Sequence, residues 1–103
     1  MELKDTVKLM NSEDYKERFK AEYFQTKIRY EKLKAMTTKY EAGTLNFEPK
    51  CSLDLLSDQQ HYMGQYLHCL EMRAELEGID ISYNISPAKD NPFIPEEHLP
   101  RID

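Results

Sequence analysis

The chain has no tryptophan, only three glycines and two cysteines in 103 residues, and no long apolar run. Two cysteines, Cys51 and Cys69, are too few for a disulfide framework or a four-ligand zinc site, so reduced thiols are expected. Glycines at 43, 64 and 78 cannot form a glycine-rich phosphate loop. No segment approaches the roughly 20 apolar residues that span a bilayer, so no membrane partner is expected. The first fourteen residues lack an apolar signal core and a small-residue cleavage site, so no secretory signal is expected either. Basic residues are outnumbered 14 to 19, for a net charge of −5, which argues against binding a DNA or RNA polymer through bulk charge. The length allows one domain.

What is present is unevenly distributed. Residues 12–41 carry eight basic and six acidic side chains, whereas residues 42–103 carry four and eleven. A small anionic ligand is therefore expected against the first segment. That segment also holds a clear helical pattern: Phe19, Tyr23, Thr26, Tyr30, Leu33, Thr37 and Tyr40 succeed one another at steps of four and three. This is a heptad seam sustained over about three repeats. Asn11 or Ser12 is placed to cap the helix, and Gly43 to end it in a left-handed turn. A helix over 12–41 would be about 45 Å long.

A connector with Pro49 follows, and Ser52 is placed to cap a second helix running to about Glu77. Gly78 followed by Ile79 reads as a Schellman ending, with Ile79 folded back on the last turn. Two long helices and a short connector make an antiparallel hairpin. The second helix is apolar over a wider stripe than one partner helix needs. Two helices alone bury little, so the surplus is expected to be covered in a homo-oligomer. Beyond it, Ile79, Ile81, Tyr83 and Ile85 alternate with polar residues, and four of the five prolines follow. This predicts a short strand-like, proline-rich arm. The expected fold is thus all-α: an N-terminal extension (1–11), a long oligomerising hairpin (12–78) and an extended C-terminal arm (79–103).

The chemistry of catalysis is missing. His61 and His68 lie seven residues apart with Cys69 adjacent, but no close metal-ligand spacing accompanies them. They read as ordinary helix residues, and no metal or cofactor is expected. Neither cysteine is marked as a nucleophile, and the carboxylates read as solvated helix-face charges. The chain is not expected to be an enzyme. Tyr15, Tyr23, Tyr30 and Tyr40, by contrast, are interleaved with Arg18, Lys20, Lys27, Arg29, Lys34 and Lys39. Aromatic faces stack on bases, and basic side chains hold phosphates. Tyrosine at a heptad seam is also ordinary core, with its hydroxyl in water.

Two segments add a family resemblance: RFKAEYFQTKIRYEKLKAM (18–36) and LLSDQQHYMGQYLHCLEMRAEL (55–76). The first carries Lys27, Ile28, Lys32, Leu33 and Met36; the second carries Gln59, Met63, Tyr66, Leu70 and Arg73. This ordered pair resembles the helical hairpin of phage sponge proteins, the anti-CBASS and anti-Thoeris proteins and related crAss-like phage proteins. The resemblance covers roughly residues 12–78. It implies a non-enzymatic protein of the infected bacterial cytoplasm. Such a protein sequesters cyclic di- or trinucleotides, or cyclic ADP-ribose isomers, as a homo-oligomer, commonly a hexamer, with pockets between protomers. The family's stacking aromatic and phosphate-binding lysine align near Lys8 and at Tyr23, where the residue types differ. The expected ligand-binding residues are therefore Tyr15 and Tyr23 for stacking, and Arg18, Lys27 and Arg73 for phosphates. Arg73 has an alternative structural role, pairing with a helix carboxylate. The competing reading is an oligomeric interaction protein that engages a protein partner through its aromatic surface and C-terminal arm.

Overall fold

The computed structural model describes residues 1–82. A 3₁₀ turn, Leu3–Thr6, runs into a short helix α1, Val7–Met10, followed by the long helices α2, Tyr15–Ala42, and α3, Leu53–Glu77. Among the described residues there is no strand. The helices α2 and α3 pack against each other as a hairpin, and the N-terminal turn and α1 pack on α2.

Local chemistry fixes the helix ends. Gly43 adopts φ +80°, and the amides of Gly43 and Thr44 return to the carbonyls of Tyr40 and Lys39. An L-residue is strained at that φ, so glycine is the residue that closes α2. Ser52 Oγ accepts from the Leu55 amide at 3.1 Å and starts α3. Gly78, at φ +70°, turns the chain so that the Ile79 amide donates to the Ala74 carbonyl at 2.9 Å. Ile79 is thereby folded into the core, only 5% exposed, as the sequence pattern requires.

The start of α2 differs from expectation. Asn11 and Ser12 close the end of α1, their amides donating to the carbonyls of Val7 and Leu9. The cap is Asp14, whose carboxylate accepts from the Lys16 amide at 2.9 Å, while Ser12 Oγ accepts from the Asp14 amide. The existence of α1, not expected from the pattern, therefore pushes the start of α2 to Tyr15.

The seven seam positions of α2 are all buried or half-buried, and Phe19, Tyr23 and Phe24 pack with Leu67, Leu70, Ala74 and Ile79 as one core. Ala21, Phe24 and Ile28 are buried as well, although they lie about half a turn round the helix from that seam. The N-terminal segment occupies this second face. Leu9 packs against the core, and Gln25 Nε2 donates to Thr6 Oγ1 at 2.8 Å. Thr6 is fully buried, and its hydroxyl donates in turn to the Leu3 carbonyl at 2.7 Å, so no polar atom of its side chain is left unpaired. The first eleven residues are thus a packed layer on α2. Of the strand-like alternation, Ile79 and Ile81 join the hairpin core without strand geometry, and Tyr83 onward lies outside the described residues.

One core tyrosine makes stability sensitive to alkali. Tyr23 is 5% exposed and its hydroxyl donates to Glu71 Oε2 at 3.0 Å. Burial, and then the Glu71 hydrogen bond, raise its ionisation well above the ordinary phenol value of 10.0. The folded state holds the proton that the unfolded chain releases above about pH 10. The stabilisation is complete below that pH and is lost as pH rises further. Urea midpoints should therefore fall above about pH 10, and a Tyr23→Phe variant should fall less steeply over the same range. Parallel curves would show that Tyr23 is not the group responsible.

Candidate functional site

At one end of the hairpin, the first residue of α2 meets the last turns of α3. Tyr15 and Arg73 are 58 positions apart in sequence, yet Arg73 Nη2 donates to the Tyr15 hydroxyl at 2.7 Å. That hydroxyl donates to Glu77 Oε1 at 2.8 Å, and Arg73 Nε closes the triangle on Glu77 Oε2 at 3.3 Å. Arg73 and Glu77 are one helical turn apart, so both project from one side of α3. The guanidinium also lies 5.0 Å from the centre of the Phe19 ring, and Tyr15 meets Phe19 edge-on at 6.3 Å. An arginine stacked on an aromatic face keeps its hydrogen-bonding edge turned outward.

The charges in this cluster support one another. The hydrogen bond to Glu77 raises the Tyr15 phenol, with burial adding to the effect. The Glu77 carboxyl is lowered, chiefly by the Tyr15 hydrogen bond and also by Arg73. The bond to Glu77 holds Arg73 more firmly in its charged form. The cluster holds a charged guanidinium beside an exposed aromatic ring, its charge balanced by the Glu77 carboxylate. Arg73 thus makes the structural pair with a helix carboxylate that its sequence position allowed.

The other expected site residues are placed differently. Arg18, one turn on from Tyr15, is exposed, and its Nη1 donates to the Ser12 carbonyl at 2.8 Å. Lys27 is twelve residues from Tyr15, about 18 Å along the helix, and pairs with Glu31 at 3.8 Å. Tyr23 is in the core, its ring meeting Phe24 edge-on at 5.7 Å. The fold therefore brings Tyr15 and Arg73 together, keeps Arg18 nearby, and leaves Lys27 and Tyr23 elsewhere.

A second concavity was not foreseen. In the half of the hairpin nearer the connector, a groove of about 480 Å³ is lined by Tyr30, Lys34, Thr37, Gln60, His61 and Gly64, among others. Gly64 lies on its wall, where a Cβ would sit 3.4 Å from Tyr30 Cε1, in ordinary van der Waals contact. The Thr37 hydroxyl donates to Gln60 Oε1 at 2.5 Å across the floor. The sequence signal for this groove is an interior helix glycine facing a seam tyrosine, which is legible only once the hairpin register is known. Among the described residues no group of His, Cys, Asp or Glu could hold a metal ion, and both cysteines are free and exposed. No helix among these residues is long and apolar enough to cross a membrane.

Compared with known proteins, residues 13–76 match a protein-family model described as Sequestin. No curated protein and no solved structure matches the chain.

Proposed function

The chain belongs to the Sequestin family, whose match takes in most of α2 and α3, and on that premise we propose that it captures a cyclic nucleotide immune signal without cleaving it. The ligand class is cyclic di- or trinucleotides or cyclic ADP-ribose isomers, met in the cytoplasm of a phage-infected bacterium. The family name speaks of sequestration, which is binding rather than catalysis. The observation that carries this reading is the apposition of Tyr15 and Arg73 across the hairpin at 2.7 Å. A guanidinium fork suits a phosphodiester, and an exposed phenol ring suits a base face. Arg73 is exposed and only its Nε and Nη2 are engaged within the chain, so the guanidinium retains N–H donors for a phosphate. Arg18 extends the cationic surface by one turn, and Lys27 serves a ligand only if it reaches along α2, while Tyr23, buried in the core, has no ring face to offer.

The Tyr30–Gly64 groove is the second place for such a ligand, favoured by a volume within the usual range for small-molecule sites. In the same reading the hairpin (12–78) carries the function, flanked by the extension (1–11) and the arm (79–103), and the protein works as a homo-oligomer, a hexamer by family resemblance. The interaction-protein reading is favoured by a different observation, the exposed Leu55, Tyr62, Met72 and Leu76 on α3.

A thermal-shift panel of cyclic di- and trinucleotides and cyclic ADP-ribose isomers tests the proposal. A ligand at one hundred times its dissociation constant stabilises the fold by about 2.7 kcal/mol. One class should raise the melting temperature, and that nucleotide should be recovered intact after denaturation. Flat curves across the panel would sink the sponge reading and favour a protein partner; recovery of a cleaved nucleotide would instead make the protein an enzyme.

A further inference from the structure

Thr37 is buried, 6% exposed, and its single hydroxyl proton has two acceptors within reach, the Lys34 carbonyl at 3.0 Å and Gln60 Oε1 at 2.5 Å. The carbonyl is already served. It accepts from the Thr38 hydroxyl at 2.8 Å and, by the helical bonding pattern, from the Thr38 amide. Two donors fill the two lone pairs of a carbonyl oxygen, so the Thr37 proton goes to Gln60. That choice fixes the Gln60 side-chain amide with its oxygen turned to α2. Reversing the amide would set Nε2 against Thr37 and leave the hydroxyl only the crowded carbonyl. The Gln60 NH₂ group, at the other corner of the same plane, donates to nothing among the described residues. It belongs to a half-buried side chain on the wall of the Tyr30–Gly64 groove.

We propose that Gln60, held in one orientation by Thr37, is the specificity-determining residue of this groove, and that with Lys34 it takes the phosphate of a nucleotide. The inference rests on the reading above for the nucleotide and deepens it by naming the group bound in its second place. Lys34 and Glu41 also line the groove, about one turn to either side of Thr37. Lys34 is exposed and makes no ion pair among the described residues. An N–H pair that cannot be exchanged for an acceptor, with an unpaired ammonium one turn away, suits an oxyanion. Glu41 repels such a group from the connector side and so places it toward Lys34. Tyr30, one turn before Lys34 on the same side of α2, brings an aromatic ring to the same groove for the attached base.

Nitrogen-15 NMR titration of the full chain with AMP and with adenosine, which differ only by the phosphate, tests this. The Gln60 side-chain amide signals, identified by their loss in Gln60→Glu, should move with millimolar AMP and stay still with adenosine. Gln60→Glu keeps an oxygen for Thr37 and sets a negative charge where the NH₂ stood. Followed on the backbone amides of the groove, it should weaken AMP about tenfold, and Lys34→Ala should do likewise. Thr37→Val frees the amide to turn and should weaken AMP by a smaller factor, with the helical circular dichroism unchanged. Tyr15 and Lys34 are about 28 Å apart along α2, so Arg73→Ala should leave the AMP response as it is. Gln60 signals that ignore AMP, or follow adenosine equally, would overturn the proposal. So would wild-type AMP affinity in Gln60→Glu or Thr37→Val, or a response lost in Arg73→Ala. A flat cyclic nucleotide panel beside a positive AMP titration sinks the sponge reading alone. A positive panel beside silent Gln60 signals sinks this inference alone.

Discussion

Replacing Arg73 with alanine is expected to weaken the proposed capture of a cyclic nucleotide about a hundredfold. The variant loses a charge-assisted, two-pronged contact of about 2–3 kcal/mol. Calorimetric titration against whichever nucleotide stabilises the wild-type protein measures the loss. Arg73→Lys should recover only part of the affinity, since an ammonium keeps the charge but not the planar fork. The fold should tolerate both changes, because Arg73 is exposed and its bonds to Tyr15 and Glu77 are at the surface. Exposed pairs of this kind add little to stability, because water and salt screen them. Lys34→Ala is the companion measurement. If the ligand sits at the hairpin end, Lys34→Ala leaves affinity unchanged, whereas a large loss there with none at Arg73 would move the site to the Tyr30–Gly64 groove.

Leu70→Ala should produce the largest change in stability of any alanine substitution on α3. Leu70 is 1% exposed and packs in the core with Phe19, Tyr23, Phe24 and Leu67. Emptying a buried leucine site costs about 2–5 kcal/mol, depending on how far the neighbours collapse into the space. For a domain of this size each kcal/mol corresponds to roughly 4–8 °C of melting temperature. Met72→Ala, 53% exposed on the same helix, should stay within about 0.5 kcal/mol of the wild type. Urea and thermal melts of the pair read the contrast directly. Equal effects would mean that the hairpin core is not where the chain's stability resides.

Both predictions rest on features whose visibility in the sequence was unequal. The caps at Ser52, Gly43 and Gly78 were legible because each depends on bonds made within about five residues. The seam of α2 was legible because a four–three spacing states which side chains share a face, whatever they pack against. Ser12 and Asp14 show the limit of such signals. Either side chain suits a cap, and the choice fell to Asp14 because Asn11 and Ser12 were already engaged by a helix too short to announce itself.

By itself, then, the amino-acid sequence determined two capped helices joined as a hairpin, the face on which they meet, and an apolar surplus on α3. These follow from local hydrogen bonds and from periodicity along one chain. Only the tertiary structure decided that the first residues cover the back of α2, that Tyr15 meets Arg73, and that Tyr30 lies against Gly64. It also split the apolar residues of α3 into an inner seam that is buried and an outer seam that is not. Each of those outcomes depends on the axial register and rotation of one helix against another. Those quantities are set by the summed packing of many side chains, and no short stretch of sequence carries them.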